Sequence, residues 1–236
     1  MFLSCPLIGA GGYGIVVQHH PLRVTKLFKN VDTLTTDEIQ REAILQITAH
    51  ELLLKHIPEI SVPKIWNVRQ EIQSYNSNPY INGIEMEYLH PPSDYTEQVH
   101  MLLGYHGDDL DESWGATISE PVSESNPTRG YFASPEQLEL IWEEEGSAMT
   151  IELLAFLMGC ANRIMLNHGI LPIDLEWVWS NGKPWILDFG LCEFGKKDPN
   201  VFLETKGLYG LASDFYIPHK GDRGYEQFML GFSQST

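Results

Sequence analysis

The chain of 236 residues, 43% hydrophobic and 20% charged, is long enough to bury one large core or two small ones and too apolar for a disordered tail. Its longest apolar stretch, Leu153 to Ala161, falls well short of the roughly 18 residues that cross a bilayer. The N-terminus also lacks the basic start and long apolar core of a secretory signal, so no membrane span and an intracellular location are expected. A net charge of −17 repels phosphate backbones and anionic lipid heads, which argues against nucleic acid or membrane as partner.

The three cysteines, Cys5, Cys160 and Cys192, are odd in number and scattered, with no C-x-x-C pair; they read as reduced thiols, not as a disulfide framework or zinc cage. Charge is concentrated in residues 94–147, which hold thirteen acids and one base. That segment reads as a separate acidic feature, mostly solvated, able to attract a basic protein partner.

In chain order, Ile8 to Val17 predicts two short strands, or one bent strand, around a glycine cluster, and Leu22 to Phe28 a further apolar strand after the turn at His19-His20-Pro21. Thr35 and Glu38 fit a capping box, so a helix is expected from about Thr36 to Lys55, stopped by Pro58. Ile65 to Glu71 and Ile81 to Leu89 read as two more strands, separated by a turn over Ser74 to Pro79. His90-Pro91-Pro92 breaks the sheet, and an irregular stretch runs to Pro135. Ser134 and Ser147 to Thr150 offer caps for two helices. The second of these, Ile151 to Asn167, puts Ile151, Leu154, Ala155, Met158, Ala161 and Met165 on one face and ends at His168-Gly169. Trp177 to Trp179 and Trp185 to Leu187, joined through Asn181-Gly182, carry the strongest hairpin signal in the chain.

Gly9-Ala10-Gly11-Gly12-Tyr13-Gly14-Ile15-Val16 fits G-x-G-x-x-G-x-V, in which glycines let backbone amides approach phosphate oxygens. The motif leads into more strand, not into a helix, so any phosphates would lie under a hairpin and not in a dinucleotide fold. Lys26 lies in the apolar Val24-Thr25-Lys26-Leu27-Phe28, where a mid-strand ammonium has little structural use, and Glu42 lies on the following helix. Each of the three has an ordinary explanation alone: a glycine turn, a snorkelling lysine, a solvated helix face.

In combination they resemble the small lobe of a protein kinase, with its Gly-rich loop, strand lysine and helix glutamate. Ile84-Glu85-Met86-Glu87-Tyr88-Leu89 is similar to the hinge strand of that family, which implies Met86 as gatekeeper and backbone groups of Glu87 to Leu89 facing an adenine. Ile186-Leu187-Asp188-Phe189-Gly190-Leu191 is similar to its D-F-G segment, which implies Asp188 as a Mg²⁺ ligand. The resemblance implies a two-lobed α+β fold: residues 1–89 as a β-rich small lobe, and residues 90–236 as a truncated, mostly helical large lobe with the acidic insertion 94–147. It also implies ATP and Mg²⁺ as cofactors, with Gly9, Gly11, Gly14, Val16, Lys26, Met86, Glu87 and Leu89 around the nucleotide.

The catalytic loop departs from the family. Aligned without gaps from His168, the H-R-D-L-x-x-x-N pattern puts Ile170 at the base aspartate and Leu175 at the metal-binding asparagine. Asp174 and Glu176 are the nearby acids. Being two apart, they share one side of an extended chain, where one could accept a hydroxyl proton and the other bind metal beside Asp188. His168 reads as a structural residue bonding the D-F-G backbone. A closer resemblance covers about Arg129 to Gly231, including Asp174-Leu175-Glu176-Trp177-Val178, Leu187-Asp188-Phe189 and Asp214-Phe215-Tyr216-Ile217-Pro218. This part is similar to a family of kinase-like domains of unknown function in fungi and large DNA viruses. The expected function is a divergent phosphotransferase acting on a protein or a small molecule, with a pseudokinase that binds nucleotide or a protein partner as the alternative.

Overall fold

The structure is a computed structural model that describes residues 5–10, 14–29, 36–69, 72–75, 78–90, 135–173, 175–206 and 223–235. The expectations for Gly11, the Thr35 and Ser134 caps, the acidic stretch up to residue 134, Asp174 and the 214–218 segment lie outside those residues.

The architecture is mixed α+β. An antiparallel sheet comes first, built from β1 (Leu7–Ala10), β2 (Gly14–His20), β3 (Arg23–Lys29), β4 (Ile65–Val68), β5 (Ile72–Tyr75) and β6 (Asn78–Glu87). Its order is β1-β2-β3-β6-β4, with β5 also pairing β6. The β6 strand is long enough for β4 and β5 to lie end to end along one edge, opposite Ile84–Met86 and Asn78–Ile81 respectively. The expected turn over Ser74 to Pro79 is therefore mostly ladder: Tyr75 pairs with Asn78, and β5 begins where a single strand to Glu71 was expected to end.

Between β3 and β4 runs α1 (Thr36–His56), with acids in its first turn and Lys55 and His56 in its last, the arrangement that complements the helix dipole. Its inner face serves two cores. Ile39 and Ala43 pack with Val24, Phe28, Ile84 and Met86 from the sheet, whereas Leu45, Ala49 and Leu53 pack with the helical part of the chain. The segment after α1 adds a backbone link: Ser61 donates to Pro184 at 3.1 Å and accepts from Ile186 at 2.8 Å. The segments before and after residue 90 thus meet in a shared core.

The second part comprises α2 (Pro135–Glu144), α3 (Ile151–Asn167), β7 (Ile170–Leu171), β8 (Glu176–Ser180), β9 (Lys183–Leu187), β10 (Glu193–Phe194), α4 (Pro199–Lys206) and α5 (Tyr225–Gln234). The α2 helix shows that the acidic segment ends in packed structure: Trp142 is fully buried, its ring 5.1 Å from that of Trp179. Arg223 clamps α2 to α3 through Glu139 (2.7 Å) and Glu152 (2.9 Å), and the two carboxylates raise its already high pKa further. The α3 helix starts where expected, with the Thr150 side chain accepting from the Leu153 amide, and all six residues of its expected apolar face are buried. Against it lies α5, brought to backbone contact by two glycines. A Cβ on Gly159 would stand 2.1 Å from the Phe228 carbonyl oxygen, and one on Gly231 would stand 2.1 Å from that of Phe156.

The β8–β9 hairpin turns through Asn181 (φ 52°) and Gly182 (φ 73°), both left-handed as a primed turn requires. Trp177 and Trp179 are buried, and each fully buried large side chain contributes about 2–3 kcal/mol of hydrophobic stabilisation. All three cysteines are free thiols, two of them buried. Among the described residues no helix is long and apolar enough to cross a membrane.

Candidate functional site

Three elements converge on Lys26. β3 sits at the middle of the sheet, where Lys26 pairs across to Val16 of β2 and Ile84 of β6. Its neighbours Thr25, Leu27 and Phe28 are buried, which fixes the strand and so the direction of the lysine. Glu42 enters from the inner face of α1, and Asp188 from the residue after β9. The Lys26 Nζ lies 2.8 Å from Glu42 Oε1 and 2.9 Å from Asp188 Oδ1. Residues 162 positions apart in the chain are thus in direct contact.

The site is electrically unbalanced, with two carboxylates on one ammonium. Burial by itself would lower the Lys26 pKa, but the charges of Glu42 and Asp188 outweigh it and hold the ammonium above the ordinary lysine range. Burial pushes the Glu42 carboxyl up from its usual 4.5; Lys26 opposes the rise, and the nearby Asp188 charge adds to it. Asp188 differs from Glu42 in being reachable, its side chain 41% exposed against 6% for Glu42. It also has a left-handed backbone (φ 56°), a conformation that costs a non-glycine residue about 1–3 kcal/mol and that concentrates at working sites. Its Oδ1 accepts a long hydrogen bond from the Gly190 amide at 3.4 Å. A Cβ at Gly190 would crowd Asp188 Oδ1 (3.2 Å) and Glu42 Oε2 (3.3 Å), so a glycine here leaves the carboxylates room.

Two apolar patches flank the charges. Val16 and Met86 pack with Val24, Phe28 and Ile84 on the sheet side, while Leu89 packs with Val178, Trp185 and Leu187 on the hairpin side. Of the other expected nucleotide contacts, Gly9 pairs with Val16 in the β1–β2 ladder. The Glu87 amide is engaged by the Lys64 carbonyl at 2.9 Å. Gly14 has a structural reason of its own, because a Cβ there would stand 2.3 Å from the Leu27 carbonyl oxygen, so close strand pairing demands glycine whatever binds nearby.

The two residues that the ungapped alignment sets at the base and metal-ligand positions are both buried. Ile170 is a buried strand residue paired with Phe194, and Leu175 is 1% exposed in the core. Asp174 falls between β7 and β8 in the sequence and outside the described residues. Ile173, just before it, is held by Cys192: the Ile173 amide donates to Sγ and the thiol donates to the Ile173 carbonyl, both at 3.5 Å. Glu176 opens β8 directly across from Leu187, the neighbour of Asp188. Among the described residues no hydrogen bond joins the His168 ring to the segment after β9. His168 terminates α3 through its backbone amide, and its ring lies 5.7 Å from that of His56.

Sequence reasoning missed Gln46, one turn after Glu42, which donates to the Pro63 carbonyl (2.9 Å) and touches the Met86 sulfur (3.9 Å). Its signal was a polar residue four positions along an otherwise apolar face. Among the described residues, no group of three or more His, Cys, Asp or Glu could hold a metal. No protein-family model matches the chain, and no curated protein matches it.

Proposed function

We propose that the chain is a divergent ATP- and Mg²⁺-dependent phosphotransferase with a two-lobed, protein-kinase-like fold, residues 1–89 forming the small lobe and 90–236 a shortened large lobe. The observation that carries this reading is the single ammonium of Lys26, held between a helix carboxylate and a reachable, left-handed aspartate. An ammonium is rarely placed in an apolar strand for packing alone, and its sign is opposite to that of a triphosphate.

In this reading Lys26 binds the phosphates, Glu42 fixes the direction of Lys26, and Val16 and Met86 offer apolar contact to the base, with Glu87 and Leu89 along its edge. Asp188 would hold Mg²⁺. A carboxylate oxygen suits that ion, which commonly takes only one or two protein carboxylates and completes its shell with phosphate oxygens and water. When bound, the ion neutralises charge on the phosphates. Asp174 or Glu176 accepts the proton of an acceptor hydroxyl, whose oxygen forms the new bond to the terminal phosphorus as the bond to the bridging oxygen breaks and nucleoside diphosphate departs.

The test is transfer of labelled γ-phosphate in Mg²⁺ to the protein itself, to generic proteins and to small alcohols. Transfer lost in both Lys26→Ala and Asp188→Ala, with folding retained, is expected; undiminished transfer in either variant contradicts the roles. The buried Leu175, in the position the alignment gives to a metal-binding asparagine, favours a second reading: a pseudokinase that binds nucleotide without chemistry. ATP binding with no transfer to any acceptor would select it.

A further inference from the structure

The outer face of α1 carries Ile44 (52% exposed), Ile47 (39%) and Leu54 (62%), opposite the face that buries Glu42. At 100° per residue these three, with exposed Asp37, Gln40, Arg41, Glu51 and Lys55, fall on one side of the helix. The charges around the apolar stripe are ordered. α1 runs from residue 36 to 56, so its midpoint is residue 46. A two-fold axis through that point sets Asp37 opposite Lys55, and Arg41 opposite Glu51, of a second helix running the opposite way. Each pair is of opposite sign and occurs twice. The self-complementary interface that a two-fold dimer needs is thus present on one helix. Among the described residues none of these four side chains is in an ion pair that would already consume its charge.

We propose that two copies of this chain associate through antiparallel α1 helices, with Ile44 and Ile47 near the axis and the Asp37–Lys55 and Arg41–Glu51 pairs flanking it. A helix of 21 residues is about 30 Å long and buries on the order of 800 Å² in total between two copies, the size of a transient contact. A contact of that size makes the dimer a reversible one. The proposal stands on the helix surface alone and does not depend on any activity of the site.

Sedimentation velocity on the full chain from about 1 to 200 µM tests it, with circular dichroism to verify folding of each variant. The wild type should shift from monomer to dimer across that range. Ile44→Glu should remain monomeric, and Arg41→Glu and Glu51→Arg should each weaken the dimer about tenfold. The Arg41→Glu/Glu51→Arg double swap should recover it, since it restores opposite signs across the axis. A wild type that stays monomeric throughout overturns the proposal and leaves the stripe to a different protein. So does a dimer unaffected by Ile44→Glu, or a double swap no better than its parents.

Discussion

Where α3 meets α5, Gly159 and Gly231 let two backbones touch, and the one guanidinium described there, Arg163 of α3, lies over the Phe232 ring of α5. Where β3, α1 and the residue after β9 meet, one ammonium serves two carboxylates, and one of those carboxylates sits on a left-handed backbone. The first contact is complete as it stands and admits no added atom. The second holds a net negative charge in a partly buried setting, a condition that folding does not favour and that a cation-bearing ligand would relieve. The two junctions thus differ in kind, and α1 carries Glu42 to the second while packing against α3 of the first.

The largest effect should come from crowding the first junction. Gly231→Ala sets a Cβ against backbone that cannot rotate away, so a loss of about 3 kcal/mol, near the upper end for overpacked cores, is expected. In thermal denaturation that is a fall of about 10 °C for a chain of this size. An unchanged midpoint would show that α3 and α5 do not touch at that glycine. Next comes Lys26→Met, which leaves two carboxylates uncompensated and should cost about 2–3 kcal/mol in urea unfolding; Lys26→Met/Glu42→Gln should recover part of it. If the double variant is no more stable than the single, the two groups are not coupled.

Smaller still is the backbone effect at Asp188. Asp188→Gly and Asp188→Ala both remove the carboxylate, but only alanine must bear the left-handed conformation, so the glycine variant should be more stable by about 1 kcal/mol. Equal stabilities would contradict the positive φ. The smallest effect is the pH response of Glu42. Its folded pKa lies above the unfolded 4.5, so the folded state binds the proton more tightly. Relative to Glu42→Gln, the wild type should gain stability as pH falls from the raised value towards 4.5 and lose it as pH rises. The opposite slope between pH 4 and 7 would mean that Lys26 outweighs burial.

What the sequence made legible was mostly local. The Asn181-Gly182 turn and the Thr150 cap depend on a few adjacent residues, and both stand as expected. Lys26 was legible because it breaks an apolar strand, Glu42 as an acid on the helix that follows, and Asp188 through its motif. What stayed hidden involves partners distant in the chain. Gly14 reads as a phosphate glycine, and the Leu27 carbonyl on the neighbouring strand adds a demand for glycine that the motif does not show. Ile170 reads as a loop position, yet it pairs with Phe194 across the segment that carries Asp188. Gly159 and Gly231 carry no local mark of their contact, since nothing in either helix's own periodicity names its partner.

The central claim is that Lys26 and Asp188 form one binding site for a Mg²⁺-bound triphosphate, and calorimetric titration of MgATP into the wild type, Lys26→Met and Asp188→Asn tests it most directly. The account predicts saturable binding by the wild type that depends on Mg²⁺ and is weakened about 100-fold or more in both variants. Binding of equal strength in all three proteins, or no binding by the wild type, would contradict it.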